Sequence, residues 1–397
     1  MKTRSLTDLN FSGKRALIRV DFNVPLGQNA DGETIVADDT RIRSALPTIQ
    51  HVLTSGGSAI LVSHLGRPKG EVKSEFSMGP VGEHLALLTG TPVIVAPEVR
   101  GEAVEQIAAS LEPGEIMLLE NIRFDSGETK NDPDLSAYLG RLADVYVNDA
   151  FGTAHRAHAS TAGAAAHYDE KAAGFLMQKE LDTLRKLTDS PEHPFVAIVG
   201  GAKVSDKIGI IETLLKTADH LLIGGAMAYT FLKAQGKETG TSLTEDDRLD
   251  LARDLLERAG NRIHLPVDHV CADRFAADAT PVAHKDSIPV SLMGLDIGPE
   301  SVAEYASIIK SGRTIVWNGP MGVFEMDAFS TGTKAIASAL VEATEAGAFS
   351  VVGGGDSVAA IVGAGLEKQV SHVSTGGGAM LELLEGKTLP GVAALAH

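Results

Sequence analysis

The chain contains little cysteine and comparatively little positive charge, and both shortages restrict what it can do. Cys271 is the only cysteine among 397 residues, which excludes an intrachain disulfide and any zinc or iron–sulfur site built from several cysteines. Lys and Arg number 35 and Asp and Glu number 52, and the resulting net charge of −17 disfavours binding to nucleic acids and anionic membranes. A site for an anionic ligand must therefore concentrate basic residues locally.

Long apolar runs and several common motifs are also missing. No run approaches the about 20 apolar residues that span a bilayer, and the first ten residues lack the apolar core of a signal peptide. We therefore expect a soluble, cytoplasmic protein, which the single cysteine also fits. Gly386-Lys387-Thr388 resembles the end of a P-loop, but Leu381 occupies the required glycine position, which excludes a Walker ATPase. No HExxH, GxSxG or strand-linked GxGxxG occurs, and the last absence disfavours a nicotinamide dehydrogenase.

Short runs of Val, Ile and Leu alternate with segments of helical periodicity, a pattern typical of buried parallel strands joined by crossover helices. It predicts an α/β fold with two Rossmann-like lobes, each a mainly parallel sheet flanked by helices, joined by a hinge helix. The helical stretch after Gly174 places the junction. The predicted domains are 1–173, an interdomain helix 174–190, 191–380, and a tail 381–397 that docks on the first domain. Strands are predicted at 15–21, 59–64, 92–96, 115–120, 144–148, 195–199, 220–223, 262–270, 314–317, 350–352 and 372–374, and 27–39 is predicted to be one exposed loop.

Polar residues follow the first two predicted strands. Asp21 and Asn23 in RVDFNVP come directly after one strand, and His64, Gly66 and Arg67 in SHLGRP follow the next. The carboxyl ends of parallel strands form the ligand-binding edge of an α/β sheet, so these side chains are candidates for one site. Taken alone, Asp21 and Asn23 are equally explained as turn residues before a proline.

Basic residues recur at the later strand ends of the first half. Arg123 follows the fourth strand, and His155 and Arg156 follow the fifth. Arg41 and Arg43 open a predicted helix, and a spacing of two directs them to different faces, so at most one meets the ligand. A cationic pocket for a phosphorylated small molecule, with or without a carboxylate, is predicted from six residues at one sheet edge: Arg41, Arg67, Arg123, Arg156, His64 and His155. Structural salt bridges are the competing explanation.

The second half has glycine-rich turns with few arginines. VGGAKVSDK indicates a strand, a tight turn and a helix start whose N–H groups and Lys203 and Lys207 suit a phosphate. Glu325 in WNGPMGVFE is a candidate acceptor for ribose hydroxyls, and Asp356 in GGGDS is a candidate Mg²⁺ ligand beside a nucleotide. Asp356 is equally explained as an ordinary helix cap. STGGGA is either an anion nest or a flexible joint.

These motifs are specific enough to name a family. RVDFNVP, SHLGRP, ENIRF, NDAFGTAHRAHAS, GGAKVSDK, MGLDIGP, WNGPMGVFE, GGGDS and STGGGA occur in the order seen in phosphoglycerate kinases, and the chain resembles that family from end to end. The resemblance implies reversible, Mg²⁺-dependent phosphoryl transfer between ATP and 3-phosphoglycerate, giving ADP and 1,3-bisphosphoglycerate. An anion site on one lobe and a nucleotide site on the other can react only if the lobes close, so we expect closure about a hinge. The lack of an obvious exposed apolar stripe favours a monomer, and the net charge predicts no nucleic-acid or membrane partner.

The resemblance assigns roles to individual positions. The residues implied to bind 3-phosphoglycerate are Asp21, Asn23, Arg41, His64, Leu65, Gly66, Arg67, Arg123, His155 and Arg156. The residues implied to bind the nucleotide are Gly201, Ala202, Lys207, Gly225, Asn318, Pro320, Val323, Glu325, Gly354, Gly355, Asp356 and Ser357. Asp356 is the implied metal ligand, and the implied hinge consists of Ser374, Thr375, Gly376, Gly377 and Gly378. Arg41, Lys203 and Lys207 are the expected catalytic cations, since the acceptor is a carboxylate already ionised at neutral pH.

Two other classes of protein remain as alternatives. A different ATP-dependent kinase could act on another small phosphorylated carboxylate, because a cationic pocket alone does not specify glycerate. A catalytically silent nucleotide-binding protein could share the fold, but it should have lost Arg41, Lys207 or Asp356, and all three are present.

Overall fold

The computed structural model describes residues 3–396 and contains two compact units. The first consists of the residues up to Asp182 together with the segment from Thr388 onward, and the second consists of Thr183–Lys387. The division therefore falls inside the predicted interdomain helix, and residues 381–387 belong to the second unit. Each unit contains a six-stranded parallel sheet flanked by helices, which confirms the predicted α/β class. Among residues 3–396, no helix has the length and apolar character needed to cross a membrane.

The sheet of the first unit has the strand order β5-β6-β4-β1-β7-β8, with every neighbouring pair parallel. The four residues Ala16 to Arg19 and all of the adjacent strand from Ser58 to Val62 are buried, as strands covered on both faces by helices should be. The strands are β1 Arg15–Arg19, β4 Ser58–Val62, β5 Val93–Val95, β6 Ile116–Leu118, β7 Val145–Asn148 and β8 Lys171–Ala173.

The helices of the first unit cover this sheet with apolar stripes. In the first helix, Ile42, Ala45, Ile49 and Val52 recur at spacings of three and four, so they form one face that packs on the sheet. The fourth helix begins where the side chain of Asp132 accepts a hydrogen bond from the Leu135 N–H (2.9 Å). The helices are α1 Thr40–Thr54, α2 Gly79–Thr89, α3 Glu102–Ser110, α4 Pro133–Arg141, α5 Phe175–Thr188, which continues into the second unit, and α13 Pro390–Ala393.

The second unit repeats the architecture and adds a small antiparallel sheet. Its parallel sheet has the order β11-β10-β9-β15-β16-β17, and the added sheet has the order β13-β12-β14. The strands are β9 Phe195–Val199, β10 His220–Ile223, β11 Ile263–His264, β12 Asp268–Ala272, β13 Val282–Lys285, β14 Met293–Ile297, β15 Thr314–Asn318, β16 Phe349–Gly353 and β17 His372–Val373. The helices are α6 Ile208–Leu214, α7 Met227–Ala234, α8 Leu249–Ala259, α9 Pro299–Ser311, α10 Thr331–Glu345, α11 Gly355–Gly363 and α12 Gly377–Leu384.

Two sequence predictions about secondary structure were wrong. The single strand predicted at 262–270 is divided into β11 and β12, which lie in different sheets, because the chain turns away around Pro266. The predicted loop at 27–39 contains an antiparallel hairpin of β2 Leu26–Gln28 and β3 Thr34–Val36. Its turn is held by Asn29, whose side-chain oxygen accepts hydrogen bonds from the N–H groups of Asp31 (3.0 Å) and Glu33 (2.9 Å).

Candidate functional site

In the first unit, polar side chains meet where β1 and β4 end. Arg41, in the first turn of α1, donates from Nη1 to Asp21 Oδ1 (3.2 Å) and to the Asn23 carbonyl (3.1 Å). The side-chain oxygen of Asn23 accepts from the Gly66 N–H (2.8 Å), which joins the segment after β1 to the segment after β4. Arg43 instead pairs with Asp39 (2.9 Å) on the exposed face of the helix. Arg41 is therefore the arginine of this helix that lies at the sheet edge.

The segment after β4 is held in place by a buried amide. Asn121 accepts a hydrogen bond from the Leu65 N–H (3.1 Å) and donates one to the Leu65 carbonyl (2.7 Å). Gly66 has a φ of +60°, and a Cβ there would lie 2.4 Å from the Phe76 ring, so only glycine fits this turn. The Gly66 carbonyl accepts from Arg123 Nη1 at 2.7 Å. The loops after β4 and β6 thus form one framework.

A cavity of about 520 Å³ opens beside this framework. Three of the predicted arginines, Arg67, Arg123 and Arg156, line it. The cluster of Asp21, Asn23, Arg41 and His64 does not line the cavity, and it is connected to the cavity wall through Gly66 and Arg123. Sequence reasoning missed several lining residues, although SHLGRPKG and the GETK segment each contain a lysine that could have been noticed: Lys69, Gly70, Asp125, Ser126, Thr129, Lys130 and His158.

Burial and positive charge act together on the ionisable groups of this site. His64 is only 4% exposed, and burial followed by the charges of Arg19 and Arg123 lowers its pKa well below the usual value. Burial, and next the charge of Arg156, lower the pKa of Arg123 to about 10, so Arg123 remains charged at neutral pH. The Nε atom of Arg123 is buried without a hydrogen-bond partner. Such an orphaned donor suits a ligand oxygen.

The residues after β7 complete the basic cluster. Arg156 is exposed, and its Nε donates to His155 Nε2 at 3.1 Å, so the two side chains predicted from NDAFGTAHRAHAS are in direct contact. Residues from Thr388 onward pack against the same loop, where the Gly391 N–H donates to the Ala154 carbonyl (2.8 Å). The C-terminal segment therefore supports the loop that carries His155 and Arg156.

In the second unit, a lysine and an asparagine meet at the ends of β9 and β15. Lys207 Nζ donates to Asn318 Oδ1, and Asn318 Nδ2 donates to the Gly353 carbonyl (2.9 Å). Burial lowers the pKa of Lys207, and the nearby carboxylate of Asp356 opposes this change. Helix α6 begins only at Ile208, so Lys203 lies in the preceding loop and is exposed. The two lysines therefore do not share a helix face.

Glycines bring backbone segments together around Lys207. A Cβ on Gly200 would lie 2.0 Å from the Pro320 carbonyl oxygen, and a Cβ on Gly319 would lie 2.1 Å from the Gly200 carbonyl oxygen. Gly225 has a φ of +67°, and a Cβ there would lie 2.5 Å from the Gly201 carbonyl oxygen. The loops after β9, β10 and β15 can approach this closely only because they lack side chains at these positions.

A second cavity of about 390 Å³ adjoins this glycine-rich region. Of the predicted residues, it is lined by Gly201, Ala202, Gly225, Pro320, Val323, Glu325 and Asp356. Its remaining wall was not predicted and comes mostly from apolar side chains: Ala226, Tyr229, Leu243, Phe275, Met293, Gly294, Leu295 and Gly322. Phe275 is 62% exposed and Leu243 is 54% exposed, so an aromatic ring and an alkyl chain are open to a planar ligand. The exposure of a side chain cannot be inferred from sequence alone, and no binding role was predicted for the MGLDIGP motif that contains residues 293–295.

The remaining predicted nucleotide residues lie at the ends of β15 and β16. Gly354 has a φ of +91°, and a Cβ there would meet Asn318 Nδ2 at 2.7 Å. Gly355 begins α11, and Ser357 Oγ accepts from the Gly319 N–H. Asp356 is exposed in the first turn of α11, among N–H groups that have no helical partner.

Residues 374–378 form a turn between β17 and α12. The Ser374 N–H donates to the Val352 carbonyl (2.8 Å), and Ser374 Oγ accepts from the Gly376 N–H (3.3 Å). Helix α12 begins at Gly377. The turn is therefore tied to the sheet of the second unit on one side and continues into a helix on the other.

A cationic cavity in one α/β unit, and a cavity beside a glycine-cradled lysine in the other, are features of a phosphotransferase that acts on small molecules. The sequence profile of the family described as phosphoglycerate kinase matches residues 6–387. The chain belongs to the phosphoglycerate kinase family, and the resemblance noted from its motifs is confirmed.

Individual relatives and solved structures match this chain over nearly their full length. The chain is 56% identical to a phosphoglycerate kinase of Salinibacter ruber over 395 residues, covering 100% of this chain and 99% of the relative. It is 54% identical to that of Thermosipho africanus, covering 100% and 98%. The solved structure of phosphoglycerate kinase from Coxiella burnetii matches with a TM-score of 0.89 at 42% identity, covering 99% of both chains. The enzyme from Pyrococcus horikoshii matches with a TM-score of 0.82 at 32% identity, covering 98% of both chains.

Proposed function

We propose that this chain catalyses the reversible transfer of a phosphoryl group between ATP and the carboxylate of 3-phosphoglycerate, which gives ADP and 1,3-bisphosphoglycerate. The observation that carries the proposal is the joining of Asp21, Asn23, Arg41 and Arg123 at one sheet edge, in a chain whose net charge is −17. In so acidic a protein, Arg41 and Arg123, with Arg67 and Arg156 on the adjoining cavity wall, concentrate positive charge that favours an anionic substrate. The family membership supports the same reaction.

The first-unit cluster supplies both charge and hydrogen bonds for 3-phosphoglycerate. We assign Arg67, Arg123 and Arg156, which line the larger cavity, to the phosphate group, because guanidinium groups bind phosphate oxygens in pairs. Asp21, with Asn23, suits the substrate hydroxyl, since a carboxylate accepts a hydrogen bond from it. Leu65, Gly66 and His155 shape the surrounding wall. Arg41 is placed beside these groups to meet the carboxylate end.

The second-unit cavity suits a nucleoside triphosphate. Its apolar wall, with Leu243, Phe275 and Val323, provides a surface for the base, and Glu325 provides an acceptor for ribose hydroxyls. We assign the glycine-rich loops after β9 and β16 and the start of α11 to the phosphates, because their unpaired N–H groups attract anions. Lys207 and Asn318 lie at the junction of these loops.

The residues present fit a magnesium ion that arrives with the nucleotide. No group of three or more His, Cys, Asp and Glu side chains suited to a metal occurs among residues 3–396. Asp356 is a single exposed carboxylate at the start of α11, and Mg²⁺ bound to phosphates needs only one or two protein carboxylates because it retains its waters. When bound, Mg²⁺ supplies positive charge to the phosphate oxygens. We therefore assign Asp356 as its protein ligand.

The chemistry requires positioning and charge more than proton transfer. The attacking group is a carboxylate, which is ionised at neutral pH, so no general base is needed. Arg41, Lys203 and Lys207 are assigned to stabilise the negative charge on the transferring phosphoryl oxygens. Each about 1.4 kcal/mol of such stabilisation corresponds to a tenfold increase in rate. Exposed Lys203 must approach the phosphates from its loop, whereas Lys207 is already half-buried beside Asn318.

Transfer also requires the two bound reactants to come within about 3.5 Å. We propose that the units close during catalysis by rotations in α5 and in the hinge, Ser374, Thr375, Gly376, Gly377 and Gly378, which also excludes water. Support comes from the positions of these segments: α5 runs from one unit into the other, and the hinge turn immediately precedes α12. Small-angle scattering should show a smaller radius of gyration with both ligands than with either one. Identical profiles would contradict closure.

A coupled assay tests the reaction directly. Purified protein is supplied with Mg-ATP and 3-phosphoglycerate, and 1,3-bisphosphoglycerate is followed by its reductive removal. The wild-type chain should turn over, and Arg41→Ala should lower kcat at least about 100-fold, the usual effect of removing one transition-state donor, with little change in thermal stability. Arg43→Ala, on the exposed face of the same helix, is the matched control. Undiminished kcat in Arg41→Ala would remove that residue from the mechanism.

Two alternatives are distinguished by the same assay. A kinase for another phosphorylated carboxylate would consume ATP with a different acceptor and not with 3-phosphoglycerate. A silent nucleotide-binding protein would bind ATP by calorimetry without turnover. For the assembly and location of the chain, we propose a cytoplasmic monomer, as the glycolytic role of the family and its small-molecule substrates suggest.

A further inference from the structure

Arg19 is a buried arginine that the proposed mechanism does not use. It is the last residue of β1 and is paired with both neighbouring strands, opposite Val62 and Asn148. It is only 1% exposed. Its Nε donates to Ser160 Oγ (2.8 Å), its Nη1 donates to the Val20 carbonyl, and its Nη2 lies 3.3 Å from Nδ1 of His64.

The contact between Arg19 and His64 fixes the form of the imidazole ring. A guanidinium group has hydrogen-bond donors only, so Nδ1 of His64 must be the acceptor and cannot carry a proton. The ring is then neutral, with its proton on Nε2. Among residues 3–396, Nε2 has no hydrogen-bond partner from the protein, so its N–H remains available to a ligand oxygen. The nearest carboxylate oxygen, Asp21 Oδ1, is 4.0 Å from Nδ1, beyond hydrogen-bond distance.

A second buried group holds Arg19 in this position. The Ser160 hydroxyl, which accepts from Arg19, donates to Glu128 Oε1 (2.7 Å), and the Ser160 N–H donates to Glu128 Oε2 (2.9 Å). Glu128 is fully buried and provides the counter-charge for Arg19 through this hydroxyl. Glu128, Ser160, Arg19 and His64 are all buried, so the contacts that link them are shielded from competing water.

We propose that Arg19 is a positioning residue that holds His64 as the neutral Nε2–H tautomer, so that His64 gives the substrate a hydrogen bond and not a charge. This inference rests on the proposed function for its substrate. The surroundings support a neutral ring, because the charged groups acting on His64 are four arginines, Arg19, Arg123, Arg41 and Arg156, with the Asp21 carboxylate at 4.0 Å. A protonated His64 would be a fifth cation beside four arginines and would be repelled, whereas a neutral hydrogen-bond donor is not.

Nitrogen NMR of the histidine-labelled wild-type chain reads the tautomer without any assay of activity. His64→Gln identifies the His64 signals by their disappearance. We expect an unprotonated Nδ1 and a protonated Nε2 from pH 6.5 to 8.5, with no titration between. A proton on Nδ1, or an imidazolium at pH 6.5, would overturn the proposal whether or not the chain acts on 3-phosphoglycerate.

Paired substitutions test the position of the donor. The side-chain amide nitrogen of glutamine reaches the place of Nε2, whereas that of asparagine reaches the place of Nδ1. His64→Gln should therefore keep KM for 3-phosphoglycerate within about threefold of wild type, and His64→Asn should raise it about tenfold, which corresponds to about 1.4 kcal/mol. KM should vary with pH in parallel for wild type and His64→Gln. Equal losses in both variants, or divergent pH profiles, would contradict a neutral Nε2 donor.

Arg19→Met tests the positioning role itself, with Arg43→Met as a control for the loss of one positive charge. We expect Arg19→Met to let His64 titrate or change tautomer by NMR, and to raise KM for 3-phosphoglycerate about tenfold with kcat changed less than threefold. If Arg19→Met does not fold, Ser160→Ala, which removes only the hydroxyl between Arg19 and Glu128, should produce the same change in part. An unchanged His64 spectrum in a folded variant would show that Arg19 has only a structural role.

Discussion

The two proposed anion sites, one in each unit, are built from different parts of the chain. The first uses side chains: Arg41 and Arg123 project from different elements to one sheet edge, held by asparagine and backbone contacts. The second uses the backbone: Gly200, Gly225 and Gly319 let strand-end loops approach within distances that a Cβ would forbid. A side-chain site can carry a large charge, whereas a backbone site contributes N–H groups that need no counter-ion.

The difference indicates which chemical task each unit is suited to. Full positive charges suit a small dianionic substrate that must be selected from solution. Oriented N–H groups with one half-buried lysine suit a phosphate chain that arrives already partly neutralised by its metal ion. An added methyl group should therefore damage the backbone-built site, whereas the loss of one positive charge should damage the side-chain-built site.

Adding one methyl group should break the backbone-built site. A Cβ on Gly225 would lie 2.5 Å from the Gly201 carbonyl oxygen and would push the loop after β9 away from the nucleotide. We expect Gly225→Ala to raise KM for ATP at least about 30-fold, a loss of about 2 kcal/mol, with KM for 3-phosphoglycerate unchanged. Steady-state kinetics with each substrate varied in turn provides the measurement.

Gly236→Ala is the matched control for this change. Gly236 also has a left-handed φ, +84° against +67° for Gly225, so both substitutions carry a similar backbone strain. A Cβ on Gly236 meets nothing within 4 Å. If the two variants lose ATP affinity equally, strain and not close approach is responsible, and the contrast between the sites disappears.

Removing one charge should weaken the side-chain site in a salt-dependent manner. Arg123 lines the larger cavity and has a buried Nε without a partner, so Arg123→Gln should raise KM for 3-phosphoglycerate about tenfold at low ionic strength. The dependence of KM on salt should become shallower, because one screened attraction is lost. Arg141→Gln, on the surface of α4, removes the same charge elsewhere. Equal effects in the two variants would indicate a general effect of net charge.

Each unit contains a buried aspartate carboxyl group that accepts a hydrogen bond from the first turn of a helix. We expect replacement of these carboxyl groups to have the smallest effect of the substitutions considered. Asp149 Oδ1 accepts from the Met177 N–H in the first turn of α5 (3.1 Å), and Asp296 Oδ2 accepts from the Gly332 N–H in the first turn of α10 (2.7 Å). Burial raises the pKa of each carboxyl to about 7. Each group therefore binds its proton more tightly in the folded than in the unfolded chain.

The sign of the resulting pH dependence follows from that difference. Stability from each group is complete below about pH 4 and is lost as the pH rises through about 7. Relative to Asp149→Asn or Asp296→Asn, the free energy of unfolding of the wild type should fall by up to about 1.4 kcal/mol per pH unit between pH 5 and 7. Urea unfolding at three pH values measures this, with exposed Asp134→Asn as control. If the free energy of unfolding of the wild type instead increased with pH relative to the Asn variants, the prediction that folding raises the pKa of these carboxyl groups would be wrong.

How far the sequence foretold the structure depended on whether a feature was local. Most of the parallel strands were recognised because they are short runs rich in Val, Ile and Leu, and Phe195–Val199 and His220–Ile223 have the predicted bounds. The partners with which a strand pairs depend on residues distant in the sequence. The run from Arg262 to Val270 therefore gives no indication that its two halves belong to different sheets. The strand Lys171–Ala173 is too short and too polar to be distinguished from a loop.

The same distinction holds for the sites. The strand-end arginines could be found because their positions follow directly from the strand pattern. Phe275 and Leu243 could not, because their contribution to the second cavity depends on exposure that only folding creates. Arg19 was visible within RVDFNVP but undistinguished, since its contact with His64 joins residues 45 positions apart.

The return of the C-terminal segment has a consequence for biosynthesis. The Gly391 N–H binds the Ala154 carbonyl in the first unit, although the whole second unit lies between them in the chain. A ribosome adding about 5–20 residues per second needs roughly 10–40 s to make the about 200 intervening residues of the second unit. During that time the loop bearing His155 and Arg156 lacks its support. In the nascent first unit, the loop that carries His155 and Arg156 therefore lacks its contacts with the C-terminal segment. These contacts can form only after the second unit has been translated.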